Sequence, residues 1–287
     1  MKKGNLWQIG LIMLGTIVLG GLAAVGIGST TFKTDFNAIA RNVLSNSVTR
    51  QEVVTEGDLA SLPDTVQRYL RYTGVVGQEK INTVRLKQNG VLRQTPEDSW
   101  KGISAVEYFS INPPAFVWMG QMAAGPFSII SARDSYLNEH GRMYIKMLGI
   151  KTMGNVQGEE MDYSSLVRYL NEMMWFPTAF LNDNIHWEAI NENSARVTIV
   201  NGNDSASAIL YFDDQGAITN FVGDRYHEVN GTYVKDTWET PMTDYREFNR
   251  LRLPVKGEAV WKMSSGDFSY IKLEITDLEY NITDIYR

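Results

Sequence analysis

The sequence predicts an α+β protein, mainly antiparallel β, in which one strongly curved sheet wraps around a few helices and is preceded by one transmembrane helix. Three observations carry this. From residue 84 onward, apolar and polar residues alternate in short runs broken by Gly, Pro, Asn and Asp, which is the period and punctuation of strands. Those runs lie on both sides of one strongly helical stretch, residues 162–181 (DYSSLVRYLNEMMWFPTAFL). The first long apolar run of the chain, residues 6–27, carries no charge.

As a helix, residues 6–27 would be about 33 Å long at about 1.5 Å per residue, enough to cross a hydrocarbon core of about 30 Å. Lys2 and Lys3 precede the run and Trp7 stands where an interfacial aromatic belongs. The positive-inside rule then puts the amino terminus in the cytoplasm and everything after Ser29 outside, as a single-pass protein of the cell membrane. A cleaved secretory signal is the competing reading, with Ala23, Ala24 and Val25 as small residues for a peptidase, but the run is longer than the usual signal core of about 7–15 residues. Gly20, Ala24 and Gly28 recur every fourth residue, a spacing that would let two spans approach as a homodimer.

Beyond the span, residues 35–45 place Phe36, Ile39, Val43 and Leu44 on one face and read as a short helix. Residues 58–72 read as another, with Pro63 in its first turn, Val66, Tyr69 and Leu70 as its stripe and Gly74 after its end. Five strands are expected next, over residues 84–94, 100–111, 115–122, 127–137 and 141–148. In the central helix Asp162 is the expected N-cap and Leu166, Tyr169, Leu170, Met173 and Met174 form the apolar stripe, with Arg168, Asn171 and Glu172 on the other side. Pro177 should end it near Trp175. Strands follow over residues 185–190, 195–200, 205–212, 217–226, 232–240, 242–248, 253–263 and 270–280, joined by turns such as Asn201-Gly202-Asn203 and Asn230-Gly231. No parallel crossover pattern occurs, and a flat sheet that wide would be unusual, so curvature is expected. The domains divide as residues 1–28 (cytoplasmic stub and anchor), 29–60 (membrane-proximal helix and linker) and 61–287 (exterior β-rich domain).

The net charge of −6, with both signs interspersed, argues against nucleic acid as a partner. The absence of cysteine removes disulfides, thiolate nucleophiles and thiolate metal sites. His140, His186 and His227 are the only histidines and none has metal-ligand spacing, so no metal and no cofactor is expected. No nucleophile elbow, phosphate loop or dinucleotide fingerprint occurs.

Several phrases taken together resemble a bacterial family of single-span membrane-anchored proteins defined as a domain of unknown function. They are residues 62–77 (LPDTVQRYLRYTGVVG), 108–118 (YFSINPPAFVW), 141–149 (GRMYIKMLG), 169–179 (YLNEMMWFPTA), 244–248 (DYREF) and 266–280 (GDFSYIKLEITDLEY). The resemblance runs from about residue 62 to residue 280 and brings no activity, cofactor or catalytic residue with it. By element order alone, a curved sheet cupping helices is also similar to the half-barrel of lipoprotein carriers, whose concave face holds acyl chains. Fold does not fix function.

A cavity lined by adaptable apolar side chains would draw on Trp118 and Met119, Met143 and Met147, and Met173, Met174, Trp175, Phe176 and Phe180. An ordinary filled core would use the same residues. The leading expectation is a non-catalytic, membrane-anchored envelope protein that binds a lipid or other hydrophobic ligand in the concave face. Two alternatives stay open. One is a filled β scaffold that recognises an envelope protein. The other is a hydrolase of envelope carbohydrate or lipid using Glu159, Glu160, Asp162 or a histidine, although acidic residues at a helix start also complement its dipole and Asp213-Asp214 suits a hairpin turn.

Overall fold

A computed structural model of the chain describes residues 4–124, 127–229 and 231–287, with residues 4–19, 124 and 127 by backbone only. The chain opens with α1 (Gly4–Ser45), one uninterrupted helix where a span and a separate short helix were expected. The residues between Gly28 and Asp35 include no proline, and Ser, Thr and Lys cost only tenths of a kcal/mol in a helix. Among the described residues no helix is long and apolar enough to cross a membrane. The span expected over residues 6–27 falls largely on residues whose side chains lie outside that description.

The second expected helix is two: a single turn, α2 (Glu56–Leu59), and α3 (Asp64–Thr73), which Pro63 precedes. Gly74 ends α3 with φ 78°, a left-handed conformation that glycine adopts without penalty. Six strands follow rather than five: β1 (Thr83–Leu92), β2 (Lys101–Ser110), β3 (Ala115–Ala124), β4 (Phe127–Leu137), β5 (His140–Met147) and β6 (Lys151–Val156). The sixth is an exposed edge with no apolar alternation to announce it. The central helix α4 (Glu159–Glu172) then leads into two 3₁₀ turns, Met173–Trp175 and Pro177–Leu181. Asp162 is not its cap: the helix begins a turn earlier, after Gly158, and the Asp162 carboxylate accepts the backbone N–H of Gly141 at 2.6 Å.

The return half comprises β7 (Ile185–Asn191), β8 (Ser194–Asn201), β9 (Asp204–Phe212), β10 (Ile218–Val229), β11 (Thr232–Phe248), β12 (Leu251–Met263) and β13 (Gly266–Tyr280). Two strands were expected where β11 runs on through Pro241. Proline has no N–H to give, and the ladder to β12 is interrupted there, between the pairs Glu239–Val260 and Met242–Gly257. All pairs are antiparallel, and β13 pairs with β1, with Val84 opposite Tyr280. The result is one sheet of 13 strands in the order β6-β5-β4-β3-β2-β1-β13-β12-β11-β10-β9-β8-β7. The two outermost strands, β6 and β7, are consecutive in the chain and α4 is the link between them.

That link requires strong curvature. α4 touches β4 and β5 in one wing and β9 and β10 in the other. β5 and β10 would be about 38 Å apart in a flat sheet at about 4.8 Å per strand, whereas a helix is only about 10–12 Å across. The wings also meet directly, where Asn201 Nδ2 donates to the Tyr136 hydroxyl at 2.9 Å. The sheet is therefore rolled around α4, without β6 and β7 pairing.

Both faces carry apolar residues. On the convex side Phe32, Phe36, Ala40, Val43 and Leu44 of α1 cover Tyr108, Val117 and Met119 of β2 and β3, and Tyr286 of the carboxy-terminal tail joins them. On the concave side, α3, α4 and the 3₁₀ turns fill one part of the trough with aromatics. Phe176 lies 4.9 Å from Phe109 and 5.7 Å from Tyr169 between ring centroids, and Tyr69 packs on Phe212 and Phe180 at 5.6 and 6.1 Å.

Candidate ligand-binding cavity

The remainder of the trough is hollow. A cavity of about 600 Å³ lies over the carboxy-terminal end of α4. Its floor is built by Arg168, Asn171, Glu172, Met174 and Trp175. The change from α-helix to 3₁₀ geometry, fixed by Pro177 and by Phe176 at φ −139°, turns Trp175 toward the cavity and Phe176 into the filled core. The Trp175 indole N–H donates to the Pro254 carbonyl at 3.2 Å and the Tyr280 hydroxyl to the Trp175 carbonyl at 2.5 Å, so the corner is held from two strands.

The walls come from the concave positions of both wings. Ala132, Met143 and Ile145 of β4 and β5 face Trp238, Met242 and Ala259 of β11 and β12 across the space. At the β1–β2 and β12–β13 ends, Arg93 lies over the rings of Trp100 and Phe268, with 4.7 and 5.5 Å to the centroids. Trp261 stacks on Tyr270, whose hydroxyl accepts from Trp238 Nε1 at 3.2 Å.

Beneath this apolar enclosure sits a charged cluster. Arg168, 12% exposed, donates to Glu107 at 2.8 Å, Asp134 at 2.7 Å and Glu172 at 2.9 Å. Its guanidinium lies 4.9 Å from the centroid of Phe116 and 5.2 Å from that of Trp118. Three buried carboxyls share this one close cation. Burial pushes the Glu107 pKa well above its usual 4.5, the Glu172 charge adds to that, and Arg168 opposes it. Burial also raises Glu172, against the pull of Arg168. Burial thus favours the protonated form within the Glu107–Glu172 pair. Arg225, over Trp238 at 4.5 Å, is a further cation of the lining, as are Arg93 and Lys256. Among the described residues, Asp134 Oδ1, Glu172 Oε2, Arg225 Nε and Gln88 Nε2 are buried without a hydrogen-bond partner.

Four of the nine side chains expected from sequence line the cavity: Trp118, Met143, Met174 and Trp175. Met173, Phe176 and Phe180 are buried in the filled core. Met119 is on the wrong face, under α1, because it follows Trp118 by one residue and a strand turns successive side chains to opposite sides. Met147 shares the parity of Met143 but lies farther along β5, outside the lining. The sequence places Arg168, Asn171 and Glu172 on the side of the helix opposite its apolar stripe. They are buried because the rolled sheet covers that side as well. The place of Glu107 between Ala105 and Phe109, which share its face of the strand at spacing two, was a signal for at least one of their partners.

The candidate hydrolytic groups do not converge on the cavity. Glu159 and Glu160 lie in the first turn of α4, and His140 Nδ1 pairs with Asp162 at 3.2 Å on the surface. His227 pairs with Asp236 at 2.8 Å behind Trp261, and His186 is exposed on β7. Among the described residues no group of three or more acidic or histidine side chains is placed to hold a metal ion.

Gly28 has a use within the chain. A Cβ on it would lie 2.5 Å from the Gly149 carbonyl, so α1 crosses the β5–β6 turn at two glycines. That contact removes Gly28 from the stripe expected to pair two copies.

Residues 52–273 match the model of a protein family described as a family of unknown function, DUF6544. No curated protein matches the chain in sequence. Among solved structures, a LolA superfamily protein from Nitrosomonas europaea is 10% identical with a TM-score of 0.41, over 80% of this chain and 94% of that one. A DUF1329 family protein from Desulfovibrio piger is 7% identical with a TM-score of 0.41, over 76% and 92%. A porin-like protein from Bacteroides uniformis is 10% identical with a TM-score of 0.22, over 69% and 98%.

Proposed function

The chain belongs to the family of unknown function DUF6544, and since that description names no activity, we propose a function from the cavity: non-catalytic binding of a lipid or similar amphiphile in the concave face of the rolled sheet. The observation that carries this is the contrast inside one core. Protein interiors are close-packed and keep few voids larger than a water molecule. Here about 600 Å³ stays open beside a packed aromatic cluster, within the range of small-molecule sites and walled mainly by apolar side chains.

An aliphatic chain against Ala132, Met143, Ile145, Met242 and Ala259 would exchange water for apolar contact at about 25 cal/mol per Å² buried. A polar head reaching Arg168, Glu172 or Arg225 would meet the charged side of the lining. Residues 6–27, in this proposal, hold the protein at the membrane from which the ligand comes.

Extraction of the purified chain with organic solvent, followed by mass spectrometry, tests the reading. Lipid recovered in near-equimolar amount is the expected outcome, together with its loss from an Ala259→Phe variant that still folds. No extractable ligand, and no uptake of a fluorescent fatty acid by the chain, would contradict it.

A further inference from the structure

The β5–β6 hairpin carries a surface that the cavity does not explain. Around the crossing of Gly28 and Gly149, five large apolar side chains are exposed: Ile27 (69%), Ile129 (39%), Leu148 (36%), Ile150 (51%) and Met153 (51%). Soluble surfaces show such residues singly; clustered, they mark a contact surface. Residues 141–156 also contain Arg142, Lys146 and Lys151 and no acidic residue, in a chain whose net charge is −6. Lys33, exposed on α1, adds a further cation a little over one turn beyond the crossing.

α1 leaves the sheet at this point. Phe32 is buried against the convex face, whereas Leu22 is 48% exposed and Gly20, Gly21 and Gly26 have no neighbour within 4 Å of a Cβ position. From residue 27 back to residue 6 the sequence has no charge. The uncharged helix and the apolar hairpin are therefore continuous. Apolar side chains interleaved with lysines match the boundary between acyl chains and anionic headgroups. A second copy of the same surface would bring like charges together.

We propose that the β5–β6 hairpin and the adjoining exit of α1 form a docking surface for an anionic phospholipid bilayer. The surface is close to the cavity. Met143 and Ile145 of β5 line the cavity, and Leu148 opens the turn that follows this strand, three residues after Ile145. Transfer of a lipid from the docked bilayer to the cavity rests on the carrier reading above; the docking surface does not.

Because the chain has no cysteine, single introduced thiols report on it cleanly. The full chain is labelled with an environment-sensitive dye at Ile150→Cys or Met153→Cys, and at Ile190→Cys or Tyr211→Cys, two exposed apolar sites on the other wing. It is mixed with vesicles of phosphatidylcholine and phosphatidylglycerol that carry nitroxide-labelled acyl chains. Several-fold stronger quenching at 150 and 153 than at 190 and 211 is expected, with most of the difference lost in a Lys146→Glu/Lys151→Glu variant or on phosphatidylcholine alone. Equal quenching at all four positions, or dye–dye quenching at 150 that grows with protein concentration without vesicles, would overturn the proposal. If the overturning result comes with lipid still extractable from the chain, this surface fails and the cavity reading stands. Quenching as expected from a chain that yields no lipid separates the two the other way.

Discussion

The two parts of the concave trough belong to one sheet and share the helix α4, and they are built to opposite ends. In one part, Phe109, Phe176, Tyr169, Phe180 and Tyr69 are fully buried and interlocked. In the other, Trp118, Trp175, Trp238 and Trp261 stand around a space they do not fill, beside a cluster of four ionisable side chains joined through Arg168. A protein selected only for stability would gain by closing that space and replacing the ion cluster with apolar side chains, since buried ion pairs seldom outweigh their desolvation. In the function proposed above, the open part is the region kept for binding and the packed part its support.

The largest effect is expected at the boundary between them. Arg168→Leu leaves three carboxyls buried without their cation, and should lower the unfolding free energy by about 3–5 kcal/mol in urea titration. In the packed part, Phe176→Ala should cost a similar ~3–5 kcal/mol, whereas Met143→Ala, half-buried beside empty space, should cost under about 1.5 kcal/mol. Equal losses for the last two would mean that the cavity is closed in solution.

Additions sharpen the comparison further. Ala179→Phe forces a ring into the packed part and should destabilise by about 1–3 kcal/mol, while Ala259→Phe has open space in front of it and should stay within ~1 kcal/mol of the parent.

The smallest effect depends on pH. Glu107 and Glu172 have folded-state pKa values raised above the ordinary 4.5, so between those values the folded protein binds more protons than the unfolded one. Stability contributed by these groups is present at low pH and falls as pH rises through that window. Glu107→Gln mimics the protonated form, and its stability relative to the parent should increase from pH 5 to pH 8. A parallel pH profile for the two proteins would show that Glu107 ionises as an ordinary carboxyl.

Most of the fold was legible because strands and turns are written locally. The alternation around Glu107 and Phe109, Gly74 after α3 and the turn residues at 201–203 each specify structure within a few positions. What escaped depended on enclosure or on edges. Arg168 and Glu172 complete a polar side that would face water on a helix lying on a flat sheet, and only the roll of the sheet buries them. Residues 151–156 have no apolar stripe because both their faces are largely exposed. The division of Met174 and Trp175 from Met173 and Phe176 follows from a shift to 3₁₀ geometry that places neighbours on different sides, and composition holds no trace of it. The same limit applied to Trp118 and Met119, where strand parity separates a cavity wall from the packing beneath α1.

The central claim is that the hollow part holds one amphiphile while the packed part holds none. Native mass spectrometry of the purified full chain, beside its Ala259→Phe variant, tests it most directly. The account requires one adduct of lipid mass on the parent and the bare chain for the variant, with a cooperative urea transition retained in both. A bare parent chain, or the same adduct on both proteins, would contradict it.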